Sequence, residues 1–263
     1  MSYKAYFIEC ITNLHAGSGD ANYGLVDKLV QRDLVTNHPT IHASSLKGAL
    51  RHHFKNEAFV KEIFGGEGNG QTPGEIGSYN FLPADLVALP IRCTYRQYVH
   101  AFDKQIVDAV NRRSKMLLNN TEIFNLEEDA KDNLYSNNGA ASQAQIYAED
   151  VVLTPTPYKA PFKVNALGSL NDRFAYLKND SFKELVKELP VIARNKLVDN
   201  TSKNLWYEEV VPHQSIFITY ISTTEINTDF ETALANDIIQ IGGNATIGYG
   251  LCKFHEIKNG GTQ

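Results

Sequence analysis

The sequence has little sulfur chemistry to offer: three cysteines in 263 residues and no CxxC pair. Cys10, Cys93 and Cys252 are far apart along the chain. An odd, scattered set points to buried thiols in a reducing compartment. It argues against a disulfide framework or a zinc site, which wants paired ligands at short spacing. Long apolar runs are missing too. The longest, Leu86 to Ile91, contains Pro90 and falls well short of the ~18 residues of a membrane span. Met1-Ser2-Tyr3-Lys4 lacks the basic and apolar segments of a secretory signal. The expectation is a cytoplasmic protein with no membrane partner. Basic surplus is absent as well: 25 Lys and Arg face 30 Asp and Glu, a formal charge of −5. Free-standing nucleic-acid-binding domains are usually basic. The balance leaves room for a local basic patch on a subunit that shares a long RNA with its neighbours.

What is present suits an ordinary globular chain, 43% hydrophobic and 21% charged. A chain this long buries roughly 70–75% of the surface that its unfolded form exposes. Residues 3–12 read as a strand from Tyr3, Tyr6, Phe7, Ile8, Cys10 and Ile11. Residues 13–43 carry Gly17, Gly19 and Gly24 and read as a loop; loops of this length are usually functional or disordered. Ser44-Ser45 opens a helix of about 20 residues with a Leu46, Ala49, Leu50, Phe54, Phe59, Ile63, Phe64 stripe, stopped by Gly65-Gly66. Residues 65–77 are Gly-rich loop. Strands are expected near Tyr79–Leu82 and Leu86–Val99, and a helix over Asp103–Leu118. The polar stretch Asn119–Ser142 reads as a surface insertion. Ile146–Leu153 reads as a strand, and Pro155, Pro157 and Pro161 as an extended connection. Asp172–Leu189 looks like an amphipathic helix, and Val191–Val211 like a β-hairpin turning at Asp199-Asn200-Thr201-Ser202. Ser215–Ser222 alternates like a strand. Thr228-x-x-Glu231 is a capping box for a helix that buries Phe230, Leu234 and Ile238. A Gly-rich loop, 240–250, and a strand, Leu251–Ile257, close the chain.

Strand–helix at the start, strands in the middle and helix–strand at the end fit an α+β, ferredoxin-like (RRM-like) core with large insertions. The expectation is a single domain over 1–263, its core drawn from about 1–100 and 213–257 and an inserted region from about 101–212. A doubly wound α/β fold fits less well, because regular helices do not separate the middle strands.

Several constellations could carry chemistry. Four glycines, Gly242, Gly243, Gly248 and Gly250, lie in nine residues that include Asn244 and Thr246. They let a backbone approach a ligand closely, or simply make a tight turn. The loop follows a helix and opens a strand, the reverse of a nucleotide-binding loop. Ser44 and Ser45 place hydroxyls and amides at a helix start, with Lys47 and Arg51 four apart on one face. That is an anion site or a well-capped helix with solvated bases. Asp27, set between the apolar Val26 and Leu29, can act as a general base, anchor a magnesium ion, or cap a turn. His15 is a catalyst or an ordinary polar residue. Trp206-Tyr207-Glu208-Glu209 could wedge a duplex and support a base, or pack Trp206 inward and leave Glu208 wet.

Several of these segments, in order and spanning nearly the whole chain, resemble the RAMP superfamily of CRISPR systems. His15-Ala-Gly-Ser-Gly19 is similar to its H-x-G-S-G signature. Gly24-Leu-Val-Asp27, continuing to Gln31-Arg32-Asp33, resembles the catalytic loop of the backbone subunit of type III effectors. Ser44-Ser-Leu-Lys-Gly-Ala-Leu-Arg51 resembles its first-helix motif, Leu86-Val-Ala-Leu-Pro-Ile-Arg92 its middle strand, and Tyr207-Glu-Glu-Val-Val-Pro212 the segment after its thumb. Residues 240–250 resemble its C-terminal glycine-rich signature, with Tyr249 where a basic residue is often found. The Cmr-type (III-B) subunit is the most similar type.

The resemblance implies a palm that polymerises side by side along guide CRISPR RNA, next to other subunits of a type III effector. It implies a β-hairpin thumb within Val191–Val211. It also implies cleavage of complementary target RNA beside each thumb, dependent on a divalent metal (Mg2+ or Mn2+) held mainly by RNA and Asp27. Asp27 is then the residue most directly required, with His15 and Glu208 secondary. Arg32, Ser44, Ser45, Lys47, Arg51 and Gly242, Gly243, Asn244, Thr246 and Gly248 would hold RNA. RNA supplies its own 2′-OH nucleophile, so one carboxylate can suffice when the strand is held in line. Two further readings stay open: a non-catalytic guide-RNA-binding scaffold, and a stand-alone RAMP endonuclease that processes CRISPR transcripts.

Overall fold

A computed structural model of the chain describes residues 1–19, 24–66, 74–124, 132–136, 145–157, 174–199 and 201–258. The chain opens with β1 (Ser2–Cys10), β2 (Thr40–Ile41), α1 (Ala43–His53), α2 (Val60–Phe64), β3 (Tyr79–Phe81) and β4 (Ala84–Arg92). Next come β5 (Tyr98–Asp103), α3 (Lys104–Leu117), β6 (Asn133–Ser136), β7 (Ile146–Ala148), β8 (Val151–Pro157), β9 (Phe174–Leu177) and α4 (Asn179–Lys187). It closes with β10 (Val191–Val198), β11 (Thr201–Glu209), β12 (Ile216–Thr223), α5 (Thr228–Asn236), β13 (Ile238–Gln240) and β14 (Leu251–Glu256).

The architecture is α+β. One mostly antiparallel sheet runs β13-β14-β1-β12-β4-β5-β9-β6-β8-β7, with β2 beside β4 and β3 beside β12. Among the described strands only the β5–β9 and β6–β8 pairs are parallel. The hairpin β10–β11 forms a separate two-stranded sheet. β12 is buried at every position, as a central strand covered on both faces should be. Tyr220 of this strand shares a 2.7 Å hydrogen bond with Ser114 of α3. Phe230 of α5 sits among Phe54, Phe59, Phe64, Tyr79 and Phe81 at ring distances of 5.0–6.3 Å. Edge-to-face packing of this kind adds to the gain from buried area. No described helix is long and apolar enough to cross a membrane.

The structure corrects several sequence expectations. The helix after Ser44 is broken into α1 and α2, because Phe54 and Phe59 both turn inward onto Phe230. Its N-cap is His42, with no side-chain capping bond, rather than a serine. Leu86–Val99 is two strands joined by a hairpin, as is Ile146–Leu153, which turns at Glu149 with φ 48°. The polar stretch 119–142 is not purely surface: Ile123 and Phe124 are buried, and β6 joins the sheet between β9 and β8. Over the described part of 172–189, Phe174–Leu177 is β9 and the helix starts only at Asn179; pairing with β5 and β6 overrides local propensity there. The cap of α5 is Asn227, whose Oδ1 accepts from Phe230 N at 3.0 Å, while Glu231 pairs with Lys4 instead. Ile238 leaves that helix for β13 and is exposed. Cys10 and Cys252 are buried as expected, directly opposite one another across β1 and β14, and Cys93 is partly exposed. The expectations on 67–73, 125–131, 137–142, Pro161, 172–173 and Asn200 lie outside the described residues.

Candidate active site

Strand β11 organises the site. Its partner β10 occupies one edge. The other edge is taken by two segments from the long first loop. Asp27 and Lys28 both donate their main-chain N–H to Tyr207 O at 3.1 Å, and Glu209 N donates to Lys28 O at 2.9 Å. Asp27 Oδ2 then accepts from Tyr207 N at 2.7 Å. The main chain and one carboxylate oxygen of Asp27 are therefore fixed, and the residue stays exposed.

His15 uses the same edge. Its Nδ1 lies 2.8 Å from Glu209 O. A carbonyl only accepts, so Nδ1 carries the proton and Nε2 is the lone-pair nitrogen of the neutral ring. The ring is buried, and Nε2 faces Gly17, where an added Cβ would stand 3.1 Å away. His15 and Asp27 thus hang from one strand two residues apart, roughly 7 Å at a strand's rise.

The glycine-rich loop closes over His15. Gly243 N donates to His15 O at 2.9 Å. Gly242 has φ +81°, and a Cβ there would lie 2.4 Å from His15 O. Asn244 adopts a left-handed conformation and starts a single 3-10 turn, Ala245–Ile247. Its Nδ2 donates to Glu208 Oε2 at 2.9 Å.

Glu208 is the hub of this contact rather than a wet carboxylate. Its side chain is 1% exposed, with Lys28 Nζ at 3.2 Å on Oε1 and Arg194 Nε at 3.1 Å on Oε2. Burial pushes its pKa up, but hydrogen bonds from Lys28 and Arg194 outweigh burial and hold the carboxyl below its ordinary value. Arg194 also stacks on Tyr249, 4.6 Å from the ring centroid. Strand β10 thus brings a cation to the place where the loop's own sequence has an aromatic.

Arg32 is drawn inward. It pairs with buried Glu209 and donates to Asn37 O at 2.9 Å and to Val186 O at 2.8 Å, at the end of α4. Glu209 Oε2 also accepts from Val30 N at 3.0 Å. Arg32 therefore ties three segments together and presents little to an RNA in this conformation. Gln31 stitches the loop to α1: Nε2 donates to Gly17 O at 3.0 Å and to Ser45 Oγ at 2.8 Å, and Oε1 accepts from His42 N at 2.7 Å. Ser44 is exposed at the start of α1, with Lys47 and Arg51 partly exposed farther along it. Thr246 and Gly248 are exposed on the glycine-rich loop.

The fold thus gathers His15, Asp27, Glu208, Gly242, Gly243 and Asn244 around β11, reaches Ser45 through Gln31, and withdraws Arg32. Sequence reasoning missed Lys28 and Arg194, and quoted Gln31 in a motif without giving it a role. Lys28 had one available signal, its position next to Asp27. Among the described residues no cluster of three His, Cys, Asp or Glu side chains is placed to hold a metal.

The RAMP superfamily profile matches residues 7–253, which contain every one of these groups. The chain belongs to the RAMP superfamily. This RAMP chain is similar to the CRISPR system Cmr endoribonuclease Cmr4 of Pyrococcus furiosus, with 27% identity and 98% of each chain covered. Its fold is similar to that of a chain in the type III-B Cmr-beta structure bound to cognate target RNA, with TM-score 0.78, 21% identity and 97% of each chain covered. Oligomeric Cmr4 from Pyrococcus furiosus shares the fold at TM-score 0.68 and 17% identity, over 98% of this chain and all of the other.

Proposed function

We propose that the chain is a backbone subunit of a type III-B CRISPR effector that polymerises along guide RNA and cleaves complementary target RNA at regular intervals. The observation that carries this reading is the docking of Asp27 and His15 on one edge of β11, under the glycine-rich loop and at the base of a projecting hairpin. The name of the Pyrococcus relative, an endoribonuclease, and the RNA-bound and oligomeric states of its structural neighbours support it. The order β14-β1-β12-β4, with α1 and α5 in the connections, supports the reading of a ferredoxin-like palm. In this reading 1–100 and 213–257 supply the palm of a single domain, the region between them is inserted, and β10–β11 is the thumb.

The chemistry is attack of a target 2′-OH on the adjacent phosphate. A thumb that splays the strand holds the attacking and leaving oxygens in line. Asp27 accepts the 2′-OH proton. His15, when protonated, keeps its Nδ1 bond to Glu209 and offers Nε2–H to the leaving 5′-oxygen. The products are a cyclic phosphate and a 5′-OH. For a divalent metal, Asp27 is the one protein ligand the site offers among the described residues, with one oxygen already bonded to Tyr207 N. That donor set fits an ion that keeps its waters and takes its other ligands from RNA phosphates, whose charge it would neutralise.

The test is cleavage of labelled complementary RNA by the complex assembled on guide RNA, comparing wild type with Asp27→Ala and measuring target binding in parallel. Loss of regularly spaced cuts with binding kept is the expected outcome. Unchanged cuts would remove Asp27 from the chemistry. No cutting by either version would leave a guide-RNA-binding scaffold. A stand-alone transcript-processing RAMP endonuclease would remain a monomer when sized with guide RNA.

A further inference from the structure

Lys28 stands beside the candidate base in sequence and is fixed more firmly than an ordinary surface lysine. Its main chain is hydrogen-bonded on both sides to β11. Its ammonium lies 3.2 Å from Glu208 Oε1 and 5.2 Å from the centroid of the Trp206 ring. Lysine normally loses much rotamer freedom when it engages a ligand; here the carboxylate and the indole already restrain the stem. Yet the side chain is 52% exposed, while Glu208 beneath it is 1% exposed. Both oxygens of that carboxylate are already taken, by Lys28 on one side and Arg194 and Asn244 on the other. The ammonium it holds at the surface can meet a nucleic acid.

The charges point the same way. Glu208 carries one negative charge against two cations, Lys28 and Arg194, and Asn244 Nδ2 takes a further place on Oε2. The cluster is therefore net positive, next to Asp27 and under the glycine-rich loop. As the O2′–P bond forms and the P–O5′ bond breaks, negative charge on the phosphate rises by one. The 2′-OH proton passes to Asp27, and the 5′-oxygen takes one from His15. A preorganised cation at the non-bridging oxygens stabilises that charge without itself losing a proton.

We propose that Lys28 contacts the scissile phosphate and neutralises its developing charge, and that Glu208 acts as the positioning residue that holds it there. This rests on the reading of the site as a target-RNA nuclease.

The test uses complexes assembled on guide RNA with wild type, K28M, K28R, E208Q, the K28M/E208Q double variant, and D27A as reference. Single-turnover cleavage at saturating target is measured together with target affinity. The expected result is a loss of about 100-fold in rate for K28M, with target affinity kept within about twofold and most of the rate kept in K28R. In the E208Q background, K28M should lower the rate further. Raising Mg2+ should narrow the K28M gap, because a hydrated cation can take the vacated place.

Cleavage by K28M at the wild-type rate would overturn the proposal while leaving the nuclease reading intact, provided D27A is inactive. A loss in the K28M/E208Q double variant well beyond that of K28M alone would also overturn it, since Glu208 would then act independently of Lys28. A loss of target affinity matching the loss of rate would make Lys28 a strand-binding residue. Failure of wild type to cut at all would remove the nuclease reading, and this proposal with it.

Discussion

Two glycines in the same loop share a backbone conformation and differ in what surrounds them. Gly242 has φ +81° and Gly248 has φ +79°. Alanine at either position meets the cost of a left-handed backbone, about 1–2 kcal/mol. At Gly248 an added Cβ has nothing within 4 Å, so that cost is the whole expected effect. At Gly242 the Cβ would lie 2.4 Å from His15 O, 2.9 Å from His15 C and 3.1 Å from Ala16 N. None of these atoms is the loose end of a side chain. The two main chains must separate, and the hydrogen bond from Gly243 N to His15 O is lost, worth about 1 kcal/mol plus the cost of a buried, unmatched carbonyl. The expected destabilisation is about 3 kcal/mol for Gly242→Ala and about 1 kcal/mol for Gly248→Ala. In urea, with a slope of about 2 kcal/mol per molar, the midpoints should differ by on the order of 1 M. Cleavage by Gly242→Ala should fall as well, because the loop that seats His15 moves. Equal midpoints for the two variants would show that the loop does not rest on His15, and the geometry argued above would fail.

Arg32→Met should behave as a structural lesion: it leaves Glu209 buried without its partner, at a cost of about 3–5 kcal/mol, and leaves the salt dependence of RNA binding unchanged. Normal denaturation with a salt slope reduced by about 0.7 would instead make Arg32 a phosphate contact. Asp103 caps α3 by accepting from Ile106 N at 2.9 Å, and burial pushes its pKa up to about 6. The folded state therefore binds this proton more tightly than the unfolded one, so stability from this group is gained as pH falls from about 7 to 4, by roughly 3 kcal/mol. Asp103→Asn keeps a capping oxygen. It should be more stable than wild type at pH 7 and lose that part of the pH dependence in denaturant titrations; a parallel pH profile would refute the assignment.

Much of the fold was legible because local pattern and final structure agree. β1, α3, the β10–β11 hairpin, β12, α5 and β14 lie close to where periodicity puts them. The failures occur where distant contacts decide. β9 is a strand because β5 and β6 flank it, and the Phe54–Phe59 break exists because both rings seek Phe230 across the core. The site divides in the same way. Asp27, His15 and the glycine-rich loop lie in short motifs with recognisable spacing. The inward turn of Arg32 and the burial of Glu208 depend on partners about 180 positions away in the chain, separations of 177 for Arg32–Glu209 and 180 for Lys28–Glu208. Trp206-Tyr207-Glu208-Glu209 shows the limit well. Its pattern allows either face to be wet, and only the arrival of Lys28, Asn244 and Arg32 buries both glutamates.

The attachment of Asp27 and His15 to β11 also bears on which changes the strand can absorb over time. Both are held by peptide groups, Tyr207 N and Glu209 O, and not by the side chains at those positions. Side-chain drift at 207, where the tyrosine is 39% exposed, leaves the spacing between them untouched. Proline at 207 removes the N–H that holds the carboxylate. A slip of one residue turns the anchoring groups to the opposite edge of the strand. The anchoring of Asp27 and His15 is therefore written in the strand's register, tolerant of substitution at the exposed positions of β11 and intolerant of insertions or deletions.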